Sequence, residues 1–147
     1  MRLTRHGDYA VRVVVDLASQ PAGAIVPRAR IQERQDVPAA YLAKIVQALA
    51  RGGLVRTHPG ARGGVSLARP ASSISLLHVI EAAEGPLALN RCVAGAGACP
   101  RDRLCPVHPV WLRLQALVAS ELAAVTAAAL ATAAPQVSRE EQVRLCS

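Results

Sequence analysis

The sequence contains no phenylalanine, only two tyrosines and a single tryptophan. Any interior it builds must be aliphatic, and its 147 residues suffice for about one domain with a real core. No apolar run approaches the ~20 residues needed to cross a bilayer, which excludes a membrane-spanning segment. The opening MRLTRHGDYAVRVVV scatters charges and has no cleavage-site pattern, so a soluble, cytoplasmic protein is expected. The Gly-rich stretch at 60–64 lacks the Gly-Lys-Ser/Thr ending of a P-loop and no buried-type strand feeds a helix there, which excludes nucleotide hydrolysis. A dinucleotide fingerprint, a nucleophile–base pair and a second cluster motif are also missing, so the chain does not read as an enzyme.

Acidic residues are scarce in one half. Residues 1–70 hold eleven Lys or Arg against four acids, whereas residues 71–147 hold six of each, so the whole formal charge of +7 arises in the first half. That asymmetry points to a polyanion partner for the first half, nucleic acid before others, which the helix-turn-helix within that half narrows to double-stranded DNA; an ordinary solvated basic surface is the alternative.

Three of the four cysteines and a histidine fall between Cys92 and His108. Thiolates and an imidazole on one loop suit zinc or an iron-sulfur centre, and Gly95, Gly97, Pro100 and Pro106 let the backbone turn tightly around it. The alternatives are a disulfide and a set of inert thiols. Three cysteines cannot all pair with one another, and no secretory signal accompanies them, which favours the metal.

Along the chain, Thr4 is placed to cap a first helix with Leu3, Ala10, Val14 and Leu17 on its apolar side, ending near Ser19. Asp8, Arg12 and Asp16 fall on its outer face, where Asp8 is expected to pair with Arg12. Pro27 opens a short second helix through Gln35. A third helix starts after Asp36 and Pro38, carries the stripe Leu42, Ile45, Val46 and Leu49, and stops at Gly52-Gly53. Its outward face presents Ala40, Tyr41, Lys44, Gln47 and Arg51, the layout of a helix-turn-helix whose second helix enters the major groove. Leu54–Thr57 and Val65–Leu67 read as a β-hairpin, with Arg56 on it and Arg62 in its Gly-rich tip; this is a wing able to reach phosphate or a narrow minor groove, unless Arg62 is simply solvated. Ser73 or Ser75 caps a further helix that Gly85-Pro86 ends, and His78 within it reads as packed or surface rather than as a ligand. Residues 109–134 read as one Ala-rich helix of about 37 Å, with Val110, Leu114, Leu117, Leu122 and Val125 near heptad spacing. Self-association of that stripe gives a two-fold dimer; packing back on its own domain is the alternative. From Pro135 the tail is polar and expected to be mobile, with Cys146 a free thiol.

These residues resemble the winged-helix, iron-sulfur-dependent regulators of the IscR, NsrR and RirA kind, the Rrf-two family. The resemblance covers roughly residues 1–134 and rests on MRLT..GDYAV, DVPAAYLAKIVQALARGGLV, GARGG and the ending Cys105-Pro-Val-His108-Pro-Val-Trp111. It implies a mainly α fold: a winged helix-turn-helix over 1–70 with a two-stranded wing, a connecting helix and cluster loop over 71–108, a dimerisation helix over 109–134 and a tail over 135–147. It implies an iron-sulfur cluster, 2Fe-2S or 4Fe-4S, on Cys92, Cys99, Cys105 and His108, with Asp8 as the alternative fourth ligand. Six residues separate Cys92 from Cys99, one more than in the IscR pattern, and Pro59 stands where that pattern has an arginine, which leaves Arg56 or Arg62 to make the groove contact. The expectation is a cluster-sensing, homodimeric transcriptional repressor that binds a pseudo-palindromic operator. A winged-helix regulator with structural zinc or no metal is the alternative; an adaptor built on the last helix would leave the basic first half unexplained.

Overall fold

A computed structural model of the chain describes residues 3–133. Its elements are α1 (Arg5–Ala18), α2 (Arg28–Gln35), α3 (Ala39–Arg51), β1 (Val55–His58), β2 (Gly64–Leu67), α4 (Leu76–Glu84), α5 (His108–Ala124) and α6 (Ala127–Ala133). The tail beyond, with Cys146, lies outside the described residues.

Thr4 caps α1 through its hydroxyl, which accepts from the His6 and Gly7 amides. The same turn is gripped from α4: Glu84 Oε1 accepts from the Thr4 amide, the Thr4 hydroxyl and the Gly7 amide at 2.9, 2.7 and 3.1 Å. A carboxylate is favoured at a helix N-terminus, where amides are unpaired and the helix dipole is positive. Gly7 permits this approach, because a Cβ there would overlap the Glu84 carboxylate.

Asp16 departs from the expected outer face. It is buried at 4% exposure and takes a two-pronged contact from Arg34 at 2.8 and 2.7 Å, with Gln35 adding a third bond at 3.0 Å. The hydrogen bonds to Asp16 raise the Arg34 pKa against the opposing effect of burial, so the guanidinium keeps its charge. It locks the end of α2 to α1. Asp8 does pair with Arg12, at 2.9 Å in solvent.

Between α2 and α3 the chain turns over Asp36–Pro38, with Asp36 in the left-handed conformation at φ 51°. Leu42, Ile45, Val46 and Leu49 of α3 are buried against Ala10, Val13, Val14 and Leu17 of α1 and Ile31 of α2. The wing pairs antiparallel from Val55 opposite Leu67 to His58 opposite Gly64. An isolated antiparallel bridge, unforeseen in the sequence, joins the segment before α2 to this two-stranded sheet where Val26 and Val65 exchange amide bonds of 2.8 Å.

Ser75 caps α4 in a reciprocal box: its hydroxyl accepts from the His78 amide while His78 Nδ1 accepts from the Ser75 amide. That gives His78 a structural use. The single helix expected over 109–134 is instead two. Val125 is extended, with φ −90° and ψ 120°, and the chain bridges back to the start of α4 through Leu76 to Val125 and Ala127 to Ile74, both 2.8 Å. Thr126 then accepts from the Ala129 amide and opens α6, which packs Ala127 into the core beside α1. Adjacent β-branched residues and a hydroxyl cap outweigh the alanine propensity around them.

Candidate nucleic-acid interface and metal-binding loop

On α3, burial of the apolar stripe turns Ala40, Tyr41, Lys44, Gln47 and Arg51 outward, and all five are exposed. Tyr41 rests edge-on against Tyr9 of α1, ring centres 5.6 Å apart, and the Arg12 guanidinium lies over the Tyr9 ring at the same distance. Arg56 on β1 and Arg62 in the wing turn are exposed as well. Three ion pairs occur among the described residues, and none involves Lys44, Arg51, Arg56 or Arg62. An exposed helix face beside a hairpin, both carrying cations without acidic partners, is suited to phosphates and base edges.

The cysteine loop is built differently. Asn90 opens a short 3-10 turn over Arg91–Val93 by accepting from the Arg91 amide. Gln115 of α5 fastens this end: its carbonyl accepts from the Leu89 amide at 3.1 Å and its amide donates to the Val93 carbonyl at 3.2 Å. Beyond Val93 the backbone bonds are short-range turns, Ala98 to Gly95, Asp102 to Cys99 and Cys105 to Arg101. Cys92, Cys99 and Cys105 are half-buried free thiols. His108 is the first residue of α5, and its Nδ1 is buried without a hydrogen-bond partner.

No three His, Cys, Asp or Glu side chains among the described residues are gathered closely enough to hold a metal ion. The loop therefore brings the predicted ligands onto one segment but not into one coordination group, and Asp8 stands apart on α1. The donor set still fits a soft metal centre, being thiolates plus an imidazole whose ring nitrogen has no other use.

The family model Rrf2, described as "Iron-dependent Transcriptional regulator", matches residues 3–133. This chain belongs to the Rrf2 family. It is 38% identical to the HTH-type transcriptional regulator IscR of Escherichia coli over 111 residues, 76% of this chain and 68% of that protein. The structure of T. potens IscR matches with a TM-score of 0.73 at 25% identity, covering 97% of this chain and 96% of the other. CymR of B. subtilis, the global cysteine regulator, has the same fold, with a TM-score of 0.73 at 23% identity over 91% of this chain and 98% of that one. This Rrf2 protein is a DNA-binding transcriptional regulator with a winged-helix fold, and its relatives are regulators rather than enzymes. No helix among the described residues is long and apolar enough to cross a membrane.

Sequence reasoning missed Gln115, Glu84 and the Asp16–Arg34 lock. For Gln115 a signal existed: it is the polar interruption between Leu114 and Leu117 of an otherwise apolar run.

Proposed function

We propose that this protein is an iron-sulfur-dependent repressor that binds a pseudo-palindromic operator as a cytoplasmic homodimer and responds to redox state, nitric oxide or the supply of iron and clusters. The observation that carries the reading is the joint surface of α3 and the wing, where Lys44, Arg51, Arg56 and Arg62 stand exposed without acidic partners. Placed in the major groove, α3 offers Ala40, Tyr41, Lys44 and Gln47 to bases and phosphates while the wing follows the backbone. Two-fold pairing is supported by α5, none of whose residues is buried and whose Val110, Leu114 and Leu117 continue a 3-4-3 spacing begun at Val107.

Cys92, Cys99, Cys105 and His108 would hold the cluster. The unpartnered His108 Nδ1 supports the histidine as fourth ligand, because a buried unsatisfied nitrogen costs about 1–3 kcal/mol and ligation would relieve it. Asp8 is already engaged with Arg12. When bound, the cluster supplies a redox-reactive iron centre that ties the loop's thiolates together. The protein's own residues carry the consequence: Gln115 links the loop to α5, and Glu84 links the end of α4 to the first turn of α1. A change in the loop thus reaches both the dimer helix and the winged helix, and alters the spacing of two α3 helices.

The test is to isolate the protein without oxygen, record its absorption and Mössbauer spectra, and select operators from a randomised duplex pool. A brown protein with an iron-sulfur spectrum that recovers a pseudo-palindrome, with half-site centres separated by multiples of about 10 base pairs, supports the reading. A colourless protein that still selects an operator supports the winged-helix regulator with zinc or no metal. Lys44→Ala and Arg62→Ala should each weaken binding; unchanged affinity in both removes the assigned surface.

A further inference from the structure

Between the first turn of α2 and the wing lies a cleft of about 360 Å³, lined by Arg28, His58, Pro59, Gly60, Gly63 and Gly64. No carboxylate lines it. Arg28, the first residue of α2, is exposed, and its guanidinium takes part in no ion pair or hydrogen bond among the described residues. The cleft is held open by the fold. The Val26–Val65 bridge fixes α2 to β2, and Gly64 allows the close approach, since a Cβ there would overlap the Val26 carbonyl. His58, one of the lining residues, is pinned through its Nε2 to the Ser66 hydroxyl at 2.8 Å. Three of the six lining residues are glycines, so main chain can come close to whatever enters.

The geometry points to this cleft as a seat for a backbone phosphodiester of the operator, with Arg28 as its cation. An unpaired guanidinium beside a carboxylate-free hollow recognises an oxyanion through charge-assisted hydrogen bonds. The open mouth fits a phosphate presented by a passing strand. Arg62 occupies the same wing turn, between Gly60 and Gly63, so a strand followed by the wing passes the cleft as well. Arg28 is then a positioning residue: it fixes how α2 and the wing sit on the duplex and reads no base. This inference rests on α3 and the wing being the DNA face.

The experiment measures duplex affinity of the full-length, anaerobically isolated protein across a salt series, for wild type, Arg28→Ala and Arg28→Lys, with melting curves as a check on folding. The duplex is the selected operator, intact or with single phosphates replaced by neutral methylphosphonates. Arg28→Ala should bind on the order of tenfold more weakly, with a salt slope shallower by about 0.9 per engaged subunit. Arg28→Lys should keep the slope. One methylphosphonate position near the wing should weaken wild type and leave Arg28→Ala unaffected, which a purely structural role would not produce. Equal affinity and slope in Arg28→Ala overturns the inference while leaving the α3 surface intact. So does a full set of methylphosphonate penalties that persists in the variant. Inorganic phosphate is the remaining arm: if it saturates the Gly60 and Gly63 amide shifts without competing with duplex, the cleft is a small-anion site and the inference fails. A wild type that binds no duplex overturns the α3 and wing assignment, and this inference with it.

Discussion

The two halves of this molecule solve different problems. From α1 to α4 the chain closes on itself: Val13, Val14, Ile31, Leu42, Ile45, Leu49 and Ile74 are at most 1% exposed, and side-chain locks join α1 to α2 and to α4. From Gly85 to Ala124 the only buried residue is Val93, while Leu104 is 88% and Leu117 63% exposed. The winged helix thus carries its own hydrophobic stabilisation. The loop and α5 hold exposed apolar side chains and half-buried cysteines, so this half can open or rearrange without unfolding the half that binds DNA.

That contrast can be broken by substitutions on either side. In the core, Ile45→Ala should cost roughly 2–5 kcal/mol, read as a lower denaturant midpoint; a loss under about 1 kcal/mol would mean that the aliphatic core is not the source of stability. Asp16→Ala strands Arg34, and because that side chain is 38% exposed it can turn to solvent, so the expected loss is nearer ~2 kcal/mol than the 3–5 of a fully buried pair. Ser75→Ala removes the hydroxyl of the α4 cap and should cost about 1 kcal/mol. Leu117→Asp, measured at concentrations where the chain is monomeric, should shift stability by no more than about 0.5 kcal/mol, yet sedimentation at higher concentration should show the proposed dimer lost. A large drop in monomer stability instead would place α5 in the domain's own core.

Most of the first half was legible in the sequence, because a 3.6-residue apolar period, a capping threonine and a Gly-rich hairpin turn are local signals. What was not legible depends on distance along the chain. Asp16 looked like a surface residue until Arg34 and Gln35 closed over it, and Glu84 reaches α1 from some 80 residues away. The break at Val125-Thr126 was hidden by alanines on either side. The cysteine loop is the converse case: its residue types suggest metal chemistry, but its turns span a few residues at a time and leave the sulfurs without a shared geometry. Residue types are written locally, whereas their convergence depends on how the whole loop is held.

Hydrogen exchange along the full chain, before and after anaerobic reconstitution with iron and sulfide, separates a loop ordered by a cluster from one that is not. The proposed cluster loop requires new amide protection concentrated between Leu89 and His108, abolished by Cys99→Ser, with α1 to α4 equally protected in both states. Protection unchanged by reconstitution, or gained across the winged helix while the loop stays open, would contradict it.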